Sequence, residues 1–373
     1  EFLAIAIEPN GALMLTDKSS SEVYHDLLTF EDKSEIGSGW FHSPTVTDEF
    51  VLSAASPTQV SIVHDGPEIV TFKVSLVLNV PLRYDRLHEK RSGARVDLPI
   101  TNYITLTQSA RVVEVETVID NRAEDHCLRL LLPTDIPEAK TYLAQHPFDF
   151  VEREIRLNPE TARWQEVDLV EKPFLHLQVV GTGKRGLAFL VGGGLHEGGV
   201  RDDQRRTMQV TLLRSFRRTY STAGESDGLE LGEIRHRFAL MPFAGELDRV
   251  TAMENVLALQ AGILTRQSGK ISSGYLKMSK DGQAQKSFVE LLDRNLVISA
   301  VKAAEDGYGL IVRLWNPGDK TRSERLLFGE TPLSAIYCKL SEDDLAEPVP
   351  NIEGKTVIIE AGPRKIVTLR VKF

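Results

Sequence analysis

Apolar residues recur at every second position through most of this chain, and that alternation confines it to sheets with one buried face. Phe2-Leu3-Ala4-Ile5-Ala6-Ile7 and Ala12-Leu13-Met14-Leu15-Thr16 flank Pro9-Asn10-Gly11, a turn-forming triplet that predicts a hairpin. Val60 to Val63 and Ile69 to Leu78 follow, separated by Asp65-Gly66-Pro67, and Tyr103 to Thr107 and Arg111 to Ile119 continue the pattern. Phe174 to Val180, Gly186 to Val191, Thr207 to Leu213 and Arg235 to Leu240 are later candidates. β-Branched and aromatic residues crowd these runs, while Gly, Pro and Asn fall between them, so the pattern predicts a large antiparallel sandwich.

One stretch breaks the rhythm. Leu247 to Gln267 sets Val250, Met253, Val256, Leu257, Leu259 and Ile263 near helical spacing, which fits an amphipathic helix or an extended linker. Ser268-Gly269 and Ser272-Ser273-Gly274 then make a small polar patch suited to a boundary. Strand patterns resume at Leu296 to Val301, Leu310 to Leu314, Arg325 to Phe328, Ala335 to Leu340 and Thr356 to Val371. The expected organisation is an all-β chain: a large sandwich over residues 1–246, a helical or extended linker over 247–274, and a small sandwich over 275–373.

Composition narrows the partners. Against 44 Lys and Arg stand 53 Asp and Glu, a net charge of −9, which argues against nucleic-acid or anionic-membrane binding. No run reaches the roughly 18 apolar residues that span a bilayer. The two cysteines, Cys127 and Cys338, sit in apolar or strand-like stretches and read as buried thiols, with a disulfide between them left open. Glu1 leads straight into a strand with no charged leader or cleavage site. A cytoplasmic location and a piece of a longer protein are the expectations that follow.

Catalytic constellations are sparse. No His-x-His, His-Glu-x-x-His or Gly-x-Ser-x-Gly pattern occurs. The Gly192-Gly193-Gly194-Leu195-His196-Glu197-Gly198-Gly199 stretch lacks the Lys-Ser/Thr of a phosphate loop and reads as a strand connection. Asp202-Asp203, Asp149 with Glu152, and Glu305-Asp306 are carboxylate pairs by composition only. Arg214, Arg217 and Arg218 cluster after a strand, where they fit either sugar or phosphate binding or plain salt bridging. Trp40, flanked by Gly37, Ser38 and Gly39 before it and Phe41-His42-Ser43-Pro44 after it, fits a sugar-stacking face or a core anchor.

Several of these stretches resemble the carboxyl-terminal half of glycoside hydrolase family 38, the metal-dependent α-mannosidases, in its bacterial form. Asn121-Arg122-Ala123-Glu124-Asp125-His126-Cys127-Leu128-Arg129 is similar to the family's Asn-x-x-x-Asp-His-x-Leu-Arg signature. Pro147-Phe148-Asp149-Phe150-Val151-Glu152-Arg153, Gly186 to Leu190, Gly194 to Glu197, Thr211 to Phe216 and Arg313-Leu314-Trp315-Asn316-Pro317 follow in the family's order. The resemblance implies a supersandwich like that of galactose mutarotases, then a smaller β-sandwich. It also implies an amino-terminal catalytic barrel and helical bundle as the chain's own partners. Zinc and the nucleophilic carboxylate belong to that barrel, so neither a catalytic residue nor a metal ligand is expected in this chain.

Glu35 to Pro44 resembles a family loop that offers a tyrosine to substrate. It puts Trp40 at the tyrosine and Ser38 at an aspartate, so stacking would replace a hydroxyl contact. An arginine after the Leu-Leu-Arg strand approaches the sugar in relatives, with Arg214, Arg217 and Arg218 as candidates. The implied function is the β-sandwich portion of an α-mannosidase, which hydrolyses α-mannosides with retention, scaffolds the barrel and lines the sugar pocket. A free-standing carbohydrate-binding module and a structural or oligomerisation module remain alternatives, and a homo-oligomer stays open.

Overall fold

The structure is a computed structural model that describes residues 1–43, 45, 47–195, 197–217, 226–264, 287–346 and 348–373. The polar patch Ser268 to Gly274, together with Pro44, His196 and Arg218, lies outside the described residues. Two compact units form: Glu1–His146 with Phe150–Leu247, and Pro147–Asp149 with Asp248–Phe373.

The first unit is all-β. Leu3–Ile7 and Leu13–Asp17 pair antiparallel, Leu3 opposite Asp17. Gly11 turns the hairpin at φ +85°, and the Asn10 side chain accepts from the Ala12 amide at 3.0 Å. A nine-stranded sheet runs from Asp149–Glu154 at one edge to Thr58–Asp65 at the other, with Gly232–Ala244, Val113–Asn121 and Arg95–Thr107 near its middle. A six-stranded sheet orders Lys172–Pro173, Glu197–Val200, Met208–Ser215, His126–Leu132, Thr29–Ser34 and Val51–Leu52. Leu128, Leu130, Val210 and Phe30 of the smaller sheet share one buried core with Val74, Ile100, Val115, Phe189 and Phe238 of the larger, so the two pack as a sandwich.

The second unit opens with the one α-helix among the described residues, Arg249–Ala261. The stretch that fitted helix or linker is thus helical over those residues. Asp248 caps it by accepting from the Val250 and Thr251 amides at 3.1 and 3.2 Å, and Gly262 ends it at φ +58°. Two four-stranded sheets follow: Val289–Leu291, Arg322–Phe328, Thr356–Ala361 and Asn351–Glu353, then Val297–Ala303, Leu310–Trp315, Ile366–Lys372 and Ser334–Cys338. Leu296, Leu314, Leu326, Phe328, Ile359 and Leu369 fill the core between them.

The run expected as one strand from Thr356 to Val371 is two strands in different sheets. Gly362-Pro363 divides it, since proline cannot continue the ladder. No helix among the described residues is long and apolar enough to cross a membrane.

Candidate functional site

The outer face of the six-stranded sheet is polar, and register sets its pattern. Cys127 lies between Lys33 and Arg214, and Arg129 lies between Glu31 and Thr211, so two rows of side chains cross the central strands. Arg129 pairs with Glu31 and Glu171, and Arg201 also reaches Glu31. At the far end of the first row the chain leaves Thr29–Ser34 and turns through Glu35 to Ser43.

That turn is tightly built. Glu35 is 1% exposed; its carboxylate accepts from the Gly37 amide at 2.8 Å, from Arg214 Nε at 3.1 Å and from His42 Nδ1 at 2.7 Å. The other ring nitrogen, His42 Nε2, donates to Glu197 at 2.9 Å, and the Thr211 hydroxyl donates to the same oxygen at 2.7 Å. Arg214 also donates to the Ser38 and Phe41 carbonyls at 2.9 and 3.3 Å. Gly37 allows the close approach, because a Cβ there would stand 2.2 Å from the Phe41 carbonyl oxygen.

The electrostatics follow from this packing. Burial alone would raise the Glu35 pKa, but the His42 hydrogen bond, the Arg214 charge and the Gly37 amide outweigh it and hold the carboxyl at about 2. Burial opposes the His42 imidazolium, yet its bonds to Glu197 and Glu35 raise its pKa above the ordinary 6.5. Glu197 is lowered in turn: burial resists, and the His42 bond prevails. Lys33 is pulled down by burial and by the Arg129 charge.

The turn forms one wall of a groove of about 1090 Å³. Trp40, Phe41 and His42 of the turn line it together with Val167, Leu169 and Pro173 and with Lys33, Glu197 and Arg214 of the sheet strands. Trp40 is 77% exposed, which removes the core-anchor reading. An exposed indole beside hydrogen-bonding groups can stack on a ring-shaped ligand.

Of the expected site residues, Trp40 and Arg214 come together here. Arg217 instead pairs with Glu124 and Asp125. Arg218 lies outside the described residues. The carboxylate pairs do not converge: Asp202 binds Arg206, Asp203 accepts from the Thr207 amide at 3.0 Å, Glu152 accepts from the Thr141 hydroxyl at 2.6 Å, and Asp306 binds Arg370 at 2.8 Å. His126 is fully buried; its ring nitrogens meet Asp32 and Asn121, and Asp32 also holds Arg91. Glu35 and His42 carried no chemistry in the sequence reading beyond their place in the Trp40 turn. The wall from Gln165 to Pro173 had no signal at all.

Among the described residues no three His, Cys, Asp or Glu side chains form a metal-holding group. Even Glu35, His42 and Glu197 do not converge on a point, because the ring turns its two nitrogens to different carboxylates. These residues do not form a zinc site, and the family resemblance assigns zinc to the amino-terminal barrel instead.

With fold and groove in view, the class is plain: the chain belongs to family 38 of the glycosyl hydrolases. Residues 1–219 match the "Glycosyl hydrolases family 38 C-terminal domain", and residues 295–369 match the "Glycosyl hydrolases family 38 C-terminal beta sandwich domain". A relative from Halalkalibacterium halodurans, named "Putative mannosylglycerate hydrolase", is 27% identical over 392 residues, covering 99% of this chain and 41% of the relative. The crystal structure of an α-mannosidase from Enterococcus faecalis V583 superposes with a TM-score of 0.83 at 20% identity, over 99% of this chain and 41% of that one. A glycosyl hydrolase family 38 protein from Enterococcus faecalis gives 0.82 at 20% identity, over 99% and 43%. The chain thus spans about two fifths of the length of the curated relative it matches.

Proposed function

We propose that this chain is the carboxyl-terminal β portion of an α-mannosidase, which hydrolyses α-mannosides with retention. In the whole enzyme it scaffolds the catalytic barrel, and its groove lines the sugar pocket. Catalytic carboxylates and zinc belong to the barrel. The observation that carries the reading is the Trp40 indole, 77% exposed on a turn pinned by Glu35, His42 and Arg214 at the edge of the groove. A ring held open to water at the cost of its burial is suited to stacking on a pyranose. Arg214 serves the groove through the turn it braces, and Arg217 is spent on Glu124 and Asp125. Cys127 and Cys338 are both buried free thiols, and a cytoplasmic location is part of the same reading.

The test uses the protein in which this chain is joined to its amino-terminal part. Trp40→Ala should lower kcat/KM for an aryl α-mannoside about three- to tenfold, the worth of one aromatic stacking contact. An unchanged kcat/KM with the fold intact would favour a purely structural module.

A further inference from the structure

Two side chains fasten the Trp40 turn to the sheet: Arg214, through the Ser38 and Phe41 carbonyls, and one titratable ring. His42 bridges Glu35, at the end of the strand Thr29–Ser34, and Glu197, at the start of the strand Glu197–Val200. His42 lies 7 residues from Glu35 but 155 from Glu197, so the ring joins the turn to a strand that is remote in sequence. A neutral imidazole carries one N–H and donates to one acceptor only. Both bonds therefore require the imidazolium.

We propose that His42 is a proton-dependent clasp that holds the Trp40 turn against the sheet, and that loss of its proton releases the turn from Glu197 or Glu35. His42 is thus a positioning residue, acting on ligand through Trp40; that last consequence rests on the sugar reading above, whereas the clasp itself does not. The charged groups facing the ring are Glu35 and Glu197, with Arg214 behind Glu35; Lys33, Glu166 and Glu171 line the same groove further along. Thr211 adds a neutral hydroxyl on Glu197.

The direction follows from linkage. His42 is raised above 6.5, so its stabilising charge is complete below that value and lost as pH rises through the raised one. Glu35, lowered from 4.5 to about 2, contributes above 4.5 and loses its contribution only as pH falls through about 2. Glu197 is likewise lowered from 4.5, so the clasp is closed above the lowered values of both carboxylates and below the raised one of His42, and from neutral pH it opens on the alkaline side.

In the protein that joins this chain to its amino-terminal part, fluorotryptophan labelling reports on Trp40 and Trp164 by fluorine NMR, each resonance identified by its loss in Trp40→Phe or Trp164→Phe. Between about pH 6 and about pH 9, the range in which histidine switches, the Trp40 resonance should move through one transition with a midpoint above 6.5. His42→Gln should abolish the transition. Glu197→Gln, which keeps an acceptor for the ring but removes a charge, should move the midpoint down by about one pH unit. A flat Trp40 profile, or a profile that His42→Gln or Glu197→Gln leaves unmoved, overturns the proposal. Should His42→Gln disturb folding, seen as collapse of the Trp164 resonance, the Glu197→Gln shift decides alone. The same samples titrated with methyl α-mannoside separate the two readings: affinity that falls along with the transition supports both, while a clear transition with pH-independent affinity sustains the clasp and sinks the sugar contact.

Discussion

At the scale of single residues, the candidate site depends on one glycine and a few charged side chains whose meaning is tertiary. Gly37 is required by space: a Cβ would stand 2.2 Å from the Phe41 carbonyl oxygen, 2.7 Å from Glu35 Oε1 and 2.9 Å from the Ser43 amide. Two of those three neighbours are backbone and cannot swing aside. Gly37→Ala should cost about 1–3 kcal/mol, the usual penalty of overpacking, and should shift the Trp40 emission in the folded protein. Chemical denaturation and fluorescence measure the two effects, and wild-type values in both would show that the turn yields easily. Trp40 was legible as a residue in a flexible setting, but the sequence left it between sugar platform and core anchor. Its exposure excludes the core anchor. Arg214, Arg217 and Arg218 looked alike in sequence; the strand register turned Arg214 towards Glu35, and Arg217 fell beside Glu124 and Asp125.

At the scale of elements, alternation found the strands whose polar side faces water and missed those whose polar side chains are buried in pairs. Thr29–Ser34 carries Glu31, Asp32 and Lys33 in succession, which breaks the apolar alternation. It is nonetheless a strand paired on both sides, because Arg129 and Arg201 neutralise Glu31 while Arg91 neutralises Asp32 and His126 hydrogen-bonds it. Asp32 is the most exacting of these. Its carboxylate is fully buried, and removing it takes the anionic partner from the buried Arg91 guanidinium and the acceptor from His126 Nδ1. Asp32→Ala should therefore destabilise the first unit by about 3–5 kcal/mol, the cost of breaking a buried ion pair from one side. Urea denaturation reads this directly; a loss below about 1 kcal/mol would mean that water reaches the site and compensates. The helix Arg249–Ala261 was half legible: its apolar spacing was visible, but only the Asp248 cap and the Gly262 stop distinguish it from an extended linker.

At the scale of the whole molecule, the two units have separate apolar cores, one built around residues such as Leu128 and Phe238, the other around Leu326 and Leu369. Leu326→Ala should cost about 2–5 kcal/mol through the cavity it leaves, and its effect should be confined to its own unit. Hydrogen exchange should quicken in Arg322–Phe328 and its sheet neighbours while the nine-stranded sheet keeps its wild-type protection. Quickened exchange in both sheets would show that the units unfold as one. The all-β class, the opening hairpin and the family could be read from the sequence, because period-two alternation, turn residues and short ordered motifs are local and survive without three-dimensional information. The groove and the His42 clasp could not. They depend on which strands become neighbours: Glu35, Glu197 and Arg214 meet only because Thr29–Ser34, His126–Leu132, Met208–Ser215 and Glu197–Val200 lie side by side in one sheet. Alternation states that a strand has two faces, whereas the partner across each face is decided by packing of the whole core.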